Sequence, residues 1–205
     1  MKTMSSAQAM STLEVGTNGL TALRFAIVSI VLCGLVFPLA TAGVGQVLFP
    51  AQAGGSLITR DGVVVGSSLV AQPFADARYF QPRPSAAGYD PRALTGSNWA
   101  PSNPALRERI AASSAAVTQR EGVAASAIPG DLVTASGSGI DPHISPDAAR
   151  LQVARVALAR GLSAAQVQQL VAAGTLDATF GVLGQARVNV LELNLALDAV
   201  AGQRP

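Results

Sequence analysis

The sequence is short of the side chains on which most enzyme chemistry depends. Among 205 residues Lys2 is the only lysine, His143 the only histidine and Cys33 the only cysteine. With no lysine after residue 2, the folded part can build neither a Walker A phosphate loop nor a Schiff base. One histidine, with the cysteine inside a hydrophobic run, excludes a structural zinc site and would leave a catalytic one unusually rich in carboxylates. A lone cysteine also excludes an internal disulfide, so a folded domain here rests on ordinary core burial. Charged residues make up 13% of the chain, about half the usual share. After residue 50 there are 12 arginines against 11 acids and no basic run. That near balance, with few aromatics between the charges, argues against nucleic-acid binding.

Much of the charge shortfall has one source. Between Arg24 and Arg60 there is no charged residue, and FAIVSIVLCGLVFPLATAGVGQVLF, residues 25–49, is apolar or small apart from Ser29, Thr41 and Gln46. As a helix it would extend roughly 37 Å, enough to cross a hydrocarbon core of about 30 Å with some tilt. We therefore expect one transmembrane helix over residues 21–49, kinked at Pro38. A cleaved signal peptide is the competing reading, since Ala51-Gln52-Ala53 has the small-x-small form of a cleavage site. Signal cores are much shorter, about 7 to 15 residues. The nearby positive charges lie on the N-terminal side, which predicts a cytoplasmic N-terminus and an extracytoplasmic main domain. Gly34, Cys33 and Ala42 are small enough for a second helix to approach closely.

Residues 1–20 read as a disordered tail and residues 50–55 as a tether. Residues 56–205 read as an α+β domain, helix-rich with a small sheet. Two extended runs, Ser56–Thr59 and from Val63 onward, flank a turn at Asp61-Gly62. Residues 79–104, dense in Pro, Gly, Ser and Asn but carrying Tyr79, Phe80, Tyr89 and Trp99, read as an ordered, irregular surface segment. Asn103-Pro104 begins a helix running to about Arg120, and a strand is expected over residues 131–135. Ser145-Pro146 begins a second helix, ending at Gly161, with Leu151, Ala154, Val156 and Leu158 as its apolar face. Ser163 and Gln166 form a capping box for a helix that stops at Gly174. The leucines of VNVLELNLALDAVAG alternate as in a strand, yet Asn189 can cap a helix of strong helix formers; the helix is preferred.

The stretch TASGSGIDPHISP, residues 134–146, gathers hydroxyls, a carboxylate and the only imidazole. Ser136 or Ser138 with Asp141 and His143 are the residue types of a hydrolase triad, which makes a membrane-anchored periplasmic serine hydrolase the alternative function. Triad members normally come from separate elements, and neither serine fits the G-x-S-x-G elbow. Gly137 and Gly139, between an expected strand and a helix, evoke a phosphate loop, but Pro142 stands where the third glycine belongs; anion binding at the helix N-terminus stays open. The preferred reading is a joint and partner-contact loop built from Ser136, Gly137, Ser138, Gly139, Asp141, His143 and Ser145. There the glycines allow positive φ, Asp141 starts a turn and Ser145 caps a helix. Tyr79, Phe80, Arg83, Asn98, Trp99 and Asn103 are the candidate interface residues.

YFQPRPSA (residues 79–86), GSNWAPSNP (96–104), DLVTASGSGIDPHISP (131–146) and RVNVLELNLALD (187–198) together resemble the C subunit of the Kdp-type potassium-transporting ATPase of bacteria. Ala100 departs from the family, which usually has glycine before the proline at 101. The resemblance implies a single-pass protein of the cell (inner) membrane, in contact with lipid. Its implied partners are a channel-like potassium-translocating subunit, a P-type ATP-hydrolysing subunit and a very small single-helix subunit. It implies an assembly and regulatory role without catalysis by this chain. ATP and potassium are used by the complex, and neither is expected to be held firmly by this chain. The family is also described as helping the catalytic subunit hold ATP, which sits awkwardly with a domain outside the cytoplasm.

Overall fold

The computed structural model describes the backbone of residues 6–201 and the side chains of residues 18–200. The chain divides into two compact units, Met1–Gly55 and Ser56–Pro205. In the first, α1 (Ser6–Val31) runs through a π-helical turn (Leu32–Val36) into α2 (Phe37–Leu48), followed by the short α3 (Pro50–Ala53). The tail expected over 1–20 lies outside the described residues for 1–5. For 6–17 only helical backbone is described, so α1 begins well before residue 21. Residues Asn18–Leu48 are long and apolar enough to cross a membrane. Pro38 is accommodated by a π turn. Its ring has no N–H and would crowd the carbonyl of Gly34, and the wider turn, in which Phe37 N–H bonds to Leu32 O, makes the room. The Thr41 hydroxyl donates to Phe37 O at 2.8 Å.

The second unit is mixed, as expected. β1 (Leu57–Arg60) and β2 (Val63–Ser67) form an antiparallel hairpin. Asp61 and Gly62 sit at φ 52° and 78°, the positive pair that a tight hairpin turn requires. From residue 68 to 103 the backbone is irregular, and then α4 (Pro104–Glu121) starts. Asn103 Oδ1 accepts the N–H of Ala105, and Gly122 closes the helix at φ 69°. After two 3-10 turns come β3 (His143–Ile144), α5 (Pro146–Arg160), α6 (Ala164–Ala173), β4 (Thr175–Leu176), β5 (Arg187–Asn189) and α7 (Val190–Ala201). A small antiparallel sheet runs in the order β3-β5-β4, with His143 opposite Asn189 and Thr175 opposite Val188. The capping box is complete: Ser163 Oγ accepts Gln166 N–H, while Gln166 Oε1 accepts Ser163 N–H. Asn189 ends β5 and caps α7, accepting the N–H of Glu192.

The core collects Val153, Val156 and Ala157 of α5, Val167 and Val171 of α6, and Val190, Leu193 and Leu197 of α7. Val188 of β5, Ile144 of β3 and Phe80 complete its centre. Two expectations need correction. Residues 131–135 are not a strand: Gly130–Leu132 is a 3-10 turn, and both Thr134 N–H and its hydroxyl bond back to Gly130 O. A strand needs a neighbouring ladder, and here Asp131 is committed instead to capping α5. The buried face of α5 is also rotated. It consists of Ala148, Ala149, Gln152, Val153, Val156 and Ala157, while Leu151 is only partly buried, Ala154 is exposed and Leu158 is 85% exposed. The stripe holds a glutamine, which breaks the apolar period.

Candidate functional site

The irregular segment after β2 runs through the middle of the unit because two buried amides hold it there. Asn194 of α7 accepts Phe80 N–H at 2.8 Å and donates to Phe80 O at 3.0 Å. Gln152 of α5 does the same for the next residue, accepting Gln81 N–H at 2.8 Å and donating to Gln81 O at 3.2 Å. Successive residues of an extended chain present their N–H and C=O groups to opposite sides. The two amides therefore satisfy residues 80 and 81 as flanking strands would, and no buried backbone group there is left unpaired. Neither amide was singled out from the sequence. The available signal was polar residues inside otherwise apolar stripes, Gln152 beside Val153 and Val156, and Asn194 beside Leu193 and Leu197.

This arrangement corrects one candidate. Phe80, expected at an interface, is fully buried, and Pro82 is buried with it. Tyr79 is half-buried. Its hydroxyl bonds Asp198 at 3.2 Å, and the Arg160 guanidinium lies 4.7 Å from its ring centre. Arg60 and Arg160 also reach Asp198, so one carboxylate gathers two guanidiniums and a phenol. Nearby, Glu121 has no exposed side-chain surface. Arg155 Nε bonds both of its oxygens at 3.0 Å, and the same guanidinium donates to Ala77 O, Tyr79 O and Gln152 Oε1.

The glycine-rich loop is clasped by residues 84–96. Ser136 N–H donates to Pro84 O, the Ser85 hydroxyl to Gly139 O, and Thr95 N–H to Ser138 O. The fit leaves no room for a side chain at Gly139 or Gly96. A Cβ on Gly139 would stand 2.6 Å from Ala87 Cβ and 2.7 Å from Thr95 O, and one on Gly96 2.7 Å from Gly137 O. Gly139 also has φ 77°, so both space and backbone demand glycine there.

The loop's hydroxyls serve its own backbone. The buried Ser136 Oγ accepts Gly139 N–H at 2.7 Å, and Ser138 Oγ accepts Ile140 N–H at 3.2 Å. His143 Nδ1 lies 3.6 Å from Asp141 Oδ1. That separation is longer than a hydrogen bond, and among the described residues neither serine bonds to the imidazole, so no triad is assembled. Asp141 also accepts His143 N–H at 3.0 Å and Arg83 Nη1 at 2.9 Å. Burial raises the pKa of Asp141, but the bonds from His143 and Arg83 outweigh it and bring the net value below 3.8. Arg83, between two prolines, is therefore an internal partner of the loop.

Ser145 caps α5 by accepting Ala148 N–H while donating its hydroxyl to Asp131, which also accepts Ser145 N–H at 2.7 Å. A helix N-terminus favours negative charge, and here the chain supplies its own carboxylate where an external anion was considered. Arg83, Asp131, Asp141, His143, Ser145 and Arg187 line a depression of about 520 Å³. Its lining includes two guanidiniums and two carboxylates, with Arg83 paired directly to Asp141, a balance suited to a polar protein contact more than to one small ion. At the other end of the irregular segment Asn98 is exposed at φ 48°, and Trp99 is exposed with the Arg109 guanidinium 4.7 Å from its ring centre. Asn103 is spent on capping α4.

The structure thus brings Arg83 together with the 136–145 loop and leaves Asn98 and Trp99 at the surface. Comparison with known proteins puts a family to this arrangement. The family model described as "K+-transporting ATPase, c chain" (KdpC) matches residues 19–199. A potassium-transporting ATPase KdpC subunit from Xanthomonas campestris pv. campestris (strain B100) is 55% identical over 192 residues, 92% of each chain. One from Shewanella putrefaciens (strain CN-32 / ATCC BAA-453) is 55% identical over 179 residues, 87% of this chain and 90% of its own. One from Myxococcus xanthus is 51% identical over 189 residues, 91% and 90% respectively. The chain belongs to the KdpC family, the c chains of potassium-transporting ATPases.

Proposed function

We propose that this chain is the noncatalytic assembly and regulatory subunit of an ATP-driven potassium-import complex. The apolar helix anchors it in the cell membrane with the N-terminus cytoplasmic, and the folded unit lies outside, over the potassium-translocating subunit. The observation that carries the reading is the family match over residues 19–199 together with the one membrane-length helix among the described residues, Asn18–Leu48. The orientation is supported by charge: Lys2 lies before the apolar span and Arg24 in its first turns, ahead of the uncharged run, and no basic residue follows until Arg60. The noncatalytic role is supported by the hydroxyls of Ser136 and Ser138 being taken up by loop backbone. ATP and potassium are handled by the complex, and the folded unit holds neither firmly. The channel-like, P-type and small single-helix subunits are the partners.

Purification in mild detergent with the neighbouring subunits tests the assembly role; a chain that never co-purifies refutes it. Protease access from each side of the membrane tests the orientation, and cleavage of residues 56–205 only from the cytoplasmic side refutes it. Asp141 and Asp131, which both line the depression, are the candidates for shaping the ion's approach. Asp141→Asn is expected to shift apparent potassium affinity with assembly intact, and loss of assembly alone rejects that role.

A further inference from the structure

Between β4 and β5 the chain makes a tight excursion, Asp177-Ala-Thr-Phe-Gly-Val-Leu-Gly184, whose apolar side chains face solvent. Phe180 is 89% exposed, Val182 78% and Leu183 60%. The tip is an ordered turn. Thr179 and Leu183 exchange both backbone hydrogen bonds, at 2.8 and 2.9 Å, and Gly181 N–H bonds Ala178 O. Phe180 itself sits at φ 54°, a conformation that glycine and asparagine adopt readily and a bulky residue adopts under strain. Phenylalanine at this position therefore opposes the stability of its own unit twice, by exposure and by backbone. Nothing in the fold accounts for it.

Resting on the subunit reading above, we infer that the 178–183 tip is a docking anchor that inserts Phe180 into an apolar cleft on another subunit of the pump. Rigidly held, exposed aromatics are what dominate protein–protein anchors. Charge selects a protein cleft over a lipid surface. Residues 175–186 contain one charged side chain, Asp177, and no arginine or lysine, whereas elements that lie on anionic bilayers carry basic residues beside their apolar ones. The cleft is accordingly apolar, with a basic or hydrogen-bond-donating rim facing Asp177.

The test uses the full chain co-expressed with its neighbouring subunits and purified in mild detergent. Phe180→Asn is expected to melt no lower than wild type, because asparagine suits the positive φ, yet to be lost from the complex on dilution with about thirtyfold weaker affinity. Leu158→Ser, equally exposed but on α5, is expected to be retained like wild type. Retention of Phe180→Asn at the wild-type level overturns the inference while leaving the subunit reading intact. A wild-type chain that never co-purifies overturns both. The inference also falls if the substitution abolishes only binding to phosphatidylcholine–phosphatidylglycerol vesicles, or only self-association seen by light scattering, with subunit retention unchanged.

Discussion

Replacing Asn194 by leucine isolates the amide clamp that holds the irregular segment in the core. Leucine is apolar and comparable in size, so the perturbation removes two hydrogen bonds with little change in packing volume. It leaves Phe80 N–H and Phe80 C=O buried and unpaired, since Asn194 is the partner of both. Each orphaned group costs about 1–3 kcal/mol, so the variant should lose about 2–6 kcal/mol. For a unit of this size each kcal/mol moves the melting temperature by about 2–4 °C, so the middle of that range corresponds to roughly 8–16 °C. Thermal unfolding of the full chain in mild detergent, followed by near-ultraviolet circular dichroism or by the fluorescence of the single tryptophan, Trp99, measures this. Glu192→Gln, exposed in the first turn of the same helix, controls for helix α7 itself and is expected to cost no more than about 1 kcal/mol, from the lost charge at the helix N-terminus. A melting temperature for Asn194→Leu within about a degree of wild type would refute the claim that this amide substitutes for a neighbouring strand.

Three further outcomes follow from the geometry. Gly139→Ala forces a Cβ against Ala87 and Thr95 at positive φ and should cost at least about 2 kcal/mol, whereas Gly137→Ala, which meets nothing within 4 Å, should melt close to wild type. Arg155→Met strips the buried Glu121 carboxylate of its two-oxygen partner and should lose about 3–5 kcal/mol in denaturant unfolding; a loss under about 1 kcal/mol would show that Arg120, 2.7 Å from Glu121, suffices alone. Asp141, whose folded pKa lies below the ordinary 3.8, contributes stability that is fully present above that value and is lost as pH falls through the lower folded value. Wild type should therefore be destabilised more steeply than Asp141→Asn below pH 3.8, and parallel acid profiles would contradict the assignment.

The features legible beforehand were those whose signals are local. Asn103-Pro104 and Ser145-Pro146 mark helix starts because a side-chain oxygen and a ring with fixed φ act within three residues of the chain. Gly161, at φ 62°, marks the end of α5 for the same reason. The apolar run at 25–49 needs no partner to declare itself, because hydrocarbon length is a property of one segment. The helical reading of residues 190–201 also held, since Asn189 could cap that helix from a position next to it in sequence.

Whatever depended on distant pairing was decided by the tertiary structure. Whether residues 131–135 become a strand depends on a free sheet edge, and none is offered there; Asp131 finds Ser145 instead, 14 residues away. The inward face of α5 depends on Gln152 meeting Gln81, which rotates the helix away from a purely apolar stripe and leaves Leu158 exposed. Phe80 looks like an interface aromatic until Asn194 binds its backbone from 114 residues away. By itself the sequence determined where the helices from α4 onward begin and end, which segment is apolar enough for a membrane, and which chemistries the scarcity of lysine, histidine and cysteine forbids. Which polar groups go inside was decided only by folding, because a buried amide is stable only where two backbone groups arrive to meet it, and such meetings are made by the whole chain.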